Sequence, residues 1–332
     1  MTARRRIDLF YHGYEVKALD RPFGQGLSSL YLAARTGYRS LRRRQLYTGF
    51  YTAFCNRRSG LEALGMEVHV NDFAHARRHP DQVIGMAGFS DVYNRVQLPN
   101  PAVFGPGFVP YPEDLDRVTA GCNIRIFTQP SEWYCRIWRP KLGDRVQPMF
   151  VPIMLQDWSD LSAAPKTHDV VIYDKIRWHR EERVPLVLER LQRHLAARGL
   201  SHVVLRYGAH RLAEFRAALA GGRAMVFLCE HETQGLAYQE ALASGIPVLA
   251  WDEGELVDPQ ERRIAPPELK ASTVPYFDGR CGETFTLAEM EERFDGFWVG
   301  LSGYKPRDYV AEALSPERSA RLYLDLLDRA AG

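Results

Sequence analysis

What this chain lacks narrows its class. No apolar run approaches the roughly 20 residues that a bilayer-spanning helix needs. Its start, MTARRRIDLFYHGY, is basic but has no apolar core of about 7–15 residues and no small-residue cleavage site, so a secretory signal is not expected. The five cysteines, Cys55, Cys122, Cys135, Cys229 and Cys281, are odd in number and form no C-x-x-C pair. That spacing argues against a disulfide framework or a zinc site and leaves buried or half-buried thiols of a cytosolic protein. There is no low-complexity tract and no repeat of about 20–50 residues, which excludes a solenoid. Net charge is almost absent: 43 Lys and Arg face 41 Asp and Glu, a formal +2. Such a balance argues against a general nucleic-acid coat and against an acidic solvating tail. The charge is unevenly placed, however. Residues 1–60 carry +9 and the remainder carries −7.

What is present is ordinary globular material, 332 residues with 45% hydrophobic and 25% charged side chains. At about 100–200 residues per domain this predicts two domains. Short apolar runs alternate with helical patterns throughout. IDLFYH, MEVHV, DQVIGMAG, NPAVFG, CNIRIFT and MFVPI read as strands of a first domain, buried on both faces as parallel strands are. QDWSDLSAAPKTHD is polar and Pro-containing and reads as a linker. The alternation then restarts with DVVIYD, SHVVLRY, AMVFLC and IPVLAW as strands. A single amphipathic helix is expected over 182–198, ending at Gly199, with further helices over 211–220 and 234–244. A last helix opens with SPER, a Ser cap followed by Pro and an acid. The expected architecture is α/β, with two Rossmann-like, doubly wound domains. The expected boundaries are 1–157, 158–314, and a terminal helix over 315–332. In such folds ligands bind at the carboxyl ends of the strands, here also in the cleft between the domains.

The run AMVFLCEHETQGLAYQEALASGIPVLAWDEGE carries the most chemistry. It reads as strand, polar turn, helix, strand. A helix N-terminus offers N–H groups and partial positive charge to a phosphate, and Gly235 lets backbone pass close to a ligand. Glu232 and Glu240 beside such an anion site suit hydroxyl groups, those of a sugar and a ribose, better than the phosphate. The plainer alternative is a helix cap at Glu232 and a solvated acid at Glu240.

The string E-T-Q-G-L-A-Y-Q-E-A-L-A-S-G-I-P-V-L-A resembles the E-x7-E signature of retaining glycosyltransferases with the GT-B fold, glycosyltransferase family 4 in particular. It departs from that pattern at Gln234, where the family has an aromatic, and at Cys229-Glu230, in place of a Pro-Ser turn. The resemblance implies that Glu232 contacts donor-sugar hydroxyls and that Glu240 holds the ribose. Thr233, Gln234, Gly235 and Leu236 would form the turn, with the amides near Gly235 and Leu236 facing the diphosphate. The family also has an Arg and a Lys after the first strand of this domain. VVIYDKIRWHR supplies Lys175 and Arg180 at that spacing with the types exchanged, and Arg177 competes for the role. Two such cations would stabilise leaving-group charge. Surface cations at a helix start are the alternative, disfavoured by the helix dipole unless an anion faces them.

In the first domain, residues 47–72 resemble the family's Gly-containing loop, helix and second strand, which implies that Gly49 is a donor-binding residue where the loop approaches donor and acceptor. TQPSEWYCRIWRP resembles a Ser-Glu-Trp turn of some members. His12, at the end of the first strand, is a candidate catalytic residue or a satisfied structural histidine. FGQG over 23–26 reads as a turn before a helix. The segment over about 14–45 includes RTGYRSLRRR interleaved with Tyr31, Leu32, Tyr38 and Leu41. It suits an anionic lipid surface or a phosphorylated acceptor, or stands as a solvated basic helix. No nucleic-acid module is recognisable.

The expected function is therefore sugar transfer from a nucleotide diphosphate sugar, UDP- or GDP-linked, to a glycan or lipid-linked acceptor. The resemblance implies two domains that face across a cleft, with the terminal helix over 315–332 crossing back to the N-terminal, acceptor-side domain. It implies retention of configuration, no resident cofactor and no metal. It also makes a role in bacterial surface-polysaccharide assembly the expectation. The basic segment 35–44 adds, from its own residues, an expected contact of a cytoplasmic protein with the inner face of the membrane. A nucleotide-sugar epimerase and a non-catalytic nucleotide-sugar-binding module are the alternatives.

Overall fold

The computed structural model describes residues 4–42 and 46–332. Arg43 and Arg44, part of the basic segment, lie outside the described residues. The chain divides into two compact units, Met1–Pro152 with Pro316–Gly332, and Ile153–Ser315.

The first unit holds a six-stranded parallel sheet in the order β2-β1-β3-β4-β5-β6. Its strands are β1 (Arg6–His12), β2 (Glu67–Val70), β3 (Ile84–Gly88), β4 (Ala102–Gly107), β5 (Ile124–Gln129) and β6 (Val146–Pro148). β1 is buried along nearly its whole length, as a central strand covered on both faces must be. The sixth strand lies just upstream of the expected MFVPI. Pro148 and Pro152 lack the N–H that would extend the ladder. Met149 N–H still donates to Gln129 O, at 2.8 Å. Helices α1 (Gly24–Leu41) and α2 (Gly49–Ala63) follow β1. Of FGQG, read as a turn before a helix, only Phe23 stands before α1, left-handed at φ 60°, and Gly24–Gly26 already form its first turn. The C-terminal helix Pro316–Ala331 buries Ala320, Tyr323, Leu326 and Leu327 in the same core as Ile7, Leu9, Val103 and Ile126.

The second unit holds a five-stranded parallel sheet in the order β11-β10-β9-β7-β8. These strands are β7 (Val170–Asp174), β8 (His202–Arg206), β9 (Ala224–Leu228), β10 (Val248–Trp251) and β11 (Gly282–Phe285). β11 has no apolar run to announce it. The expected helix over 182–198 is split into Arg180–Arg183, a π-turn over Val184–Leu188 and Glu189–Ala197. Pro185 cannot donate the i→i−4 bond there, and the widened turn absorbs the loss. The polar stretch read as a linker is docked on this unit. Leu161 N–H donates to Ser244 O at 2.8 Å, and Trp158 stacks edge-on against Phe215. Gly245 is left-handed at φ +77° after the Leu236–Ala243 helix, and a Cβ there would lie 2.6 Å from Asp160 Oδ1. Among the described residues, no helix is long and apolar enough to cross a membrane. The cysteines are free thiols, three buried and two half-buried.

Candidate active site

β7 and β9 are neighbours, with Asp174 level with Leu228. The loops that leave their carboxyl ends, 175–179 and 229–235, therefore emerge side by side. Lys175 N–H donates to Leu228 O at 2.8 Å, which joins the loops at their base. Above that join the Lys175 ammonium pairs with Glu232 Oε1 and lies 4.4 Å from the centre of the Tyr207 ring. Both partners of the ion pair are largely buried.

Glu230 holds the 175–179 loop. Its carboxylate is buried and accepts the N–H groups of Arg177 at 3.1 Å and Trp178 at 3.0 Å, with Arg183 at 3.9 Å. Arg177 donates to His231 O at 2.8 Å, and its guanidinium lies over the Trp178 ring. Trp178 in turn stacks on His231, with centroids 4.8 Å apart. His231 accepts from Asp258 N–H. Burial, reinforced by Arg177, lowers its pKa to about 4, so the ring is neutral near pH 7.

Arg180 is turned to the floor of the loop. It grips Asp174 with two bonds of 2.9 and 2.7 Å and also donates to Ile176 O. Such a bidentate pair uses most of the guanidinium's donors. Of the cations expected to meet an anion, Lys175 is the one held against Glu232, while Arg180 is held by Asp174.

The turn after Glu232 brings the chain to the Leu236–Ala243 helix. Gly235 is left-handed at φ +83°, and a Cβ there would sit 2.2 Å from the Tyr238 ring. The glycine is thus required by the turn itself. Gln234 is buried and donates to Gln239 Oε1 at 2.9 Å, so an amide pair fills the place where an aromatic was expected. Thr233 and Leu236 are half-buried. Glu240 is half-buried about one turn into that helix, and no side-chain partner reaches its carboxyl among the described residues. Burial raises its pKa to about 8, with only Arg216 opposing. Cys229 beneath the turn donates to His231 O, and burial followed by Glu232 raises its thiol far above the reactive range.

Lys175, Arg177, Arg180, Glu232, Thr233, Gln234, Gly235, Leu236 and Glu240 therefore gather at one end of the second sheet. His12 and Gly49 belong to the first unit. His12 is buried, its Nδ1 accepts from Ala18 N–H at 3.0 Å, and burial followed by Lys17 lowers its pKa to about 4. The neutral ring thus carries its proton on Nε2. Gly49 opens α2 behind the Thr48 cap, and nothing lies within 4 Å of where its Cβ would be. Glu230, Asp174 and Trp178 are the functional candidates that sequence reasoning did not select. The available signal was an acid at or just after the end of an apolar strand, as in VVIYD and AMVFLCE. Among the described residues, no group of three or more His, Cys, Asp or Glu is placed to hold a metal ion.

No protein-family model matches this sequence, and no curated protein sequence matches it. Solved structures do. A mutant of TarM from S. aureus, in complex with fondaparinux, α-GlcNAc-glycerol and UDP, is 13% identical with a TM-score of 0.51, covering 77% of this chain and 58% of that one. The lipopolysaccharide outer core galactosyltransferase WaaB, in its apo form, is 9% identical at 0.49, covering 97% and 99%. Sucrose-phosphate synthase of Thermosynechococcus elongatus is 12% identical at 0.48, covering 98% and 99%. The present chain spans less than two thirds of the TarM chain. The TarM likeness establishes the fold: the two parallel-sheet α/β units are those of the GT-B class.

Proposed function

We propose that this chain is a retaining glycosyltransferase. It would move a sugar from a UDP- or GDP-linked donor to a glycan or lipid-phosphate acceptor, in the cytoplasm, during assembly of bacterial surface polysaccharide. The observation that carries the reading is the buried Lys175–Glu232 pair beside the Gly235 turn, with the unpartnered Glu240 carboxyl on the helix that follows.

With no ligand bound, Glu232 neutralises Lys175. A nucleotide diphosphate brings stronger negative charge to the ammonium. Lys175 then meets the diphosphate and frees the Glu232 carboxylate to accept hydrogen bonds from sugar hydroxyls. The N–H groups around Gly235 and Leu236 add the positive end of a helix. Glu240 accepts the two ribose hydroxyls, which return to a desolvated carboxylate the hydrogen bonds it lacks. Arg177 and Arg180 raise the local positive potential from behind the loop. Charge that grows on the leaving diphosphate is stabilised most where such groups are already in place. A front-face departure lets a donor phosphate oxygen take the acceptor's proton, so no carboxylate nucleophile is required. His12 serves the acceptor side as an Nε2–H donor, and Gly49 is a donor-binding residue.

The test is nucleotide diphosphate release from a donor chosen by thermal shift across UDP-, GDP- and ADP-sugars, since a ligand of the native state raises its apparent stability. Lys175→Ala and Glu232→Ala should each lower turnover by about 100-fold or more. Arg180→Ala should instead chiefly lower thermal stability, because it leaves Asp174 buried and uncompensated. Wild-type turnover in both site variants would sink the assignment. Sugar-nucleotide interconversion without an acceptor would favour the epimerase.

A further inference from the structure

Helix α1 is amphipathic in the wrong direction for a helix resting on a core. The residues it turns inward are Gly24 and Ser28, with Leu32, Arg35, Thr36 and Arg39 half-buried beside them. Apart from Leu32 these are small or polar. Ser28 Oγ accepts from Lys17 N–H at 2.9 Å, and Arg35 donates to Leu46 O and approaches Glu15 at 3.8 Å. The apolar residues face solvent. Phe23 is 88% exposed, Leu30 69%, Tyr38 56% and Leu41 83%, with Leu27, Tyr31 and Ala34 exposed between them. Phe23, Leu27, Leu30, Ala34, Tyr38 and Leu41 follow one another at three- and four-residue steps, which is a single stripe along a helix.

A continuous apolar stripe left in water marks a surface that something covers. The charge around it states what. No acidic residue occurs between Asp20 and Glu62, while Arg21, Arg39 and Arg42 belong to the helix or flank it. Arg42 is exposed and lies beside the Tyr38 ring. An apolar stripe rimmed by cations and free of acids is complementary to an anionic bilayer surface. The apolar side chains would enter the acyl boundary while arginine stems reach back to the headgroups. A second copy of the chain would set arginine rims against each other, and a nucleic acid would find hydrocarbon where it needs cations. We propose that α1 lies in the surface of an anionic membrane through the stripe from Phe23 to Leu41. This moves the contact from the basic segment 35–44 to the apolar face, since Arg35 is turned inward. The proposal deepens the lipid-phosphate reading of the acceptor and rests on that reading for its purpose, but its test needs neither donor nor acceptor.

The test is flotation of the whole chain with vesicles of phosphatidylcholine alone and with phosphatidylglycerol added. The chain should float with the mixed vesicles and stay behind with phosphatidylcholine alone. A triple variant, Phe23→Ser with Leu30→Ser and Leu41→Ser, should bind at least roughly tenfold more weakly. Its three sites are surface positions, so circular dichroism and sugar-nucleotide binding should be unchanged. Arg42→Glu should weaken binding less, and the binding that remains should be less salt-sensitive, because one attractive cation–headgroup contact is lost. The proposal is overturned by absence of wild-type binding, by equal binding to both vesicle types, or by unchanged binding of the triple variant. A wild-type dimer that the triple variant dissolves would assign the stripe to a second copy instead. If the triple variant loses vesicles yet keeps donor turnover, the membrane contact stands apart from the chemistry. Turnover failing in the wild type would refute the catalytic reading alone.

Discussion

Glu240 sits in a conflict between burial and charge. The fold holds its pKa near 8 against an ordinary 4.5. An acid whose folded value is raised is favoured by the fold in its neutral form. Its contribution to stability is then present below the unfolded value and declines as pH rises from 4.5 through 8. Glu240→Gln keeps the shape and removes the ionisation. That variant should melt within error of the wild type near pH 4.5 and higher by a few °C at about pH 8.5. The same substitution should reduce the thermal shift given by a nucleotide sugar, because a glutamine accepts less strongly from two hydroxyls. A stabilised protein with a weakened ligand response is the signature, read by differential scanning fluorimetry at both pH values. If wild type and variant melt alike at pH 8.5, the carboxyl is not held in a desolvated place. Glu232 and Glu240 could be picked out as candidates because both lie in one chain segment whose string resembles a family signature; their spacing alone left a helix cap and a solvated acid equally open. Glu230 was not legible, because its partners Arg177 and Trp178 leave the neighbouring strand, and no local pattern states that β7 lies beside β9. Asp174 pairs within its own segment, with Arg180 six residues on, but reads in the sequence as the end of a strand.

At the scale of elements, the 175–179 loop is set by one carboxylate from the adjoining strand. Glu230 satisfies two backbone N–H groups that burial would otherwise leave costly. Glu230→Ala should destabilise by about 2–4 kcal/mol, the cost of orphaning those donors beside Arg183. Glu230→Gln, which keeps an acceptor, should fall between. Denaturant midpoints measure the order, and equal midpoints for Ala and Gln would mean that the bonds contribute nothing. The elements themselves were largely legible, since apolar runs between turn residues mark buried parallel strands. The failures have causes. Pro148 and Pro152 moved the end of the sixth strand, and Pro185 opened a π-turn inside a pattern that reads as one helix. Helix α1 was legible as a basic helix, but which of its faces turns outward depends on what Ser28 and Arg35 find beneath them.

At the scale of the whole molecule, the chain order and the core order differ. The last helix, Pro316–Ala331, belongs with the first sheet, whereas the residues just before it belong with the second. Its placement is tight. A Cβ on Gly60 would lie 2.9 Å from Pro316 O, and one on Gly85 would lie 2.2 Å from Tyr323 Oη. The Arg57 guanidinium is buried, donates to Gly105 O and lies 4.3 Å from the centre of the Tyr323 ring. Removing the helix would open this contact and bare the side chains packed on Ala320, Tyr323, Leu326, Leu327 and Ala330. At roughly 1–3 kcal/mol for each large side chain re-exposed, the loss is comparable to a typical domain's entire stability of about 5–15 kcal/mol. The core of the second unit, from Val170 to Phe297, lies within its own residues. The two pieces should therefore behave oppositely. Residues 153–315 expressed alone should unfold in one cooperative thermal transition. Residues 1–152 alone should lack one, and adding the 316–332 peptide in trans should restore it. Calorimetry on the three samples decides: a cooperative transition in 1–152 without the peptide would mean that the first sheet does not depend on the chain's last helix.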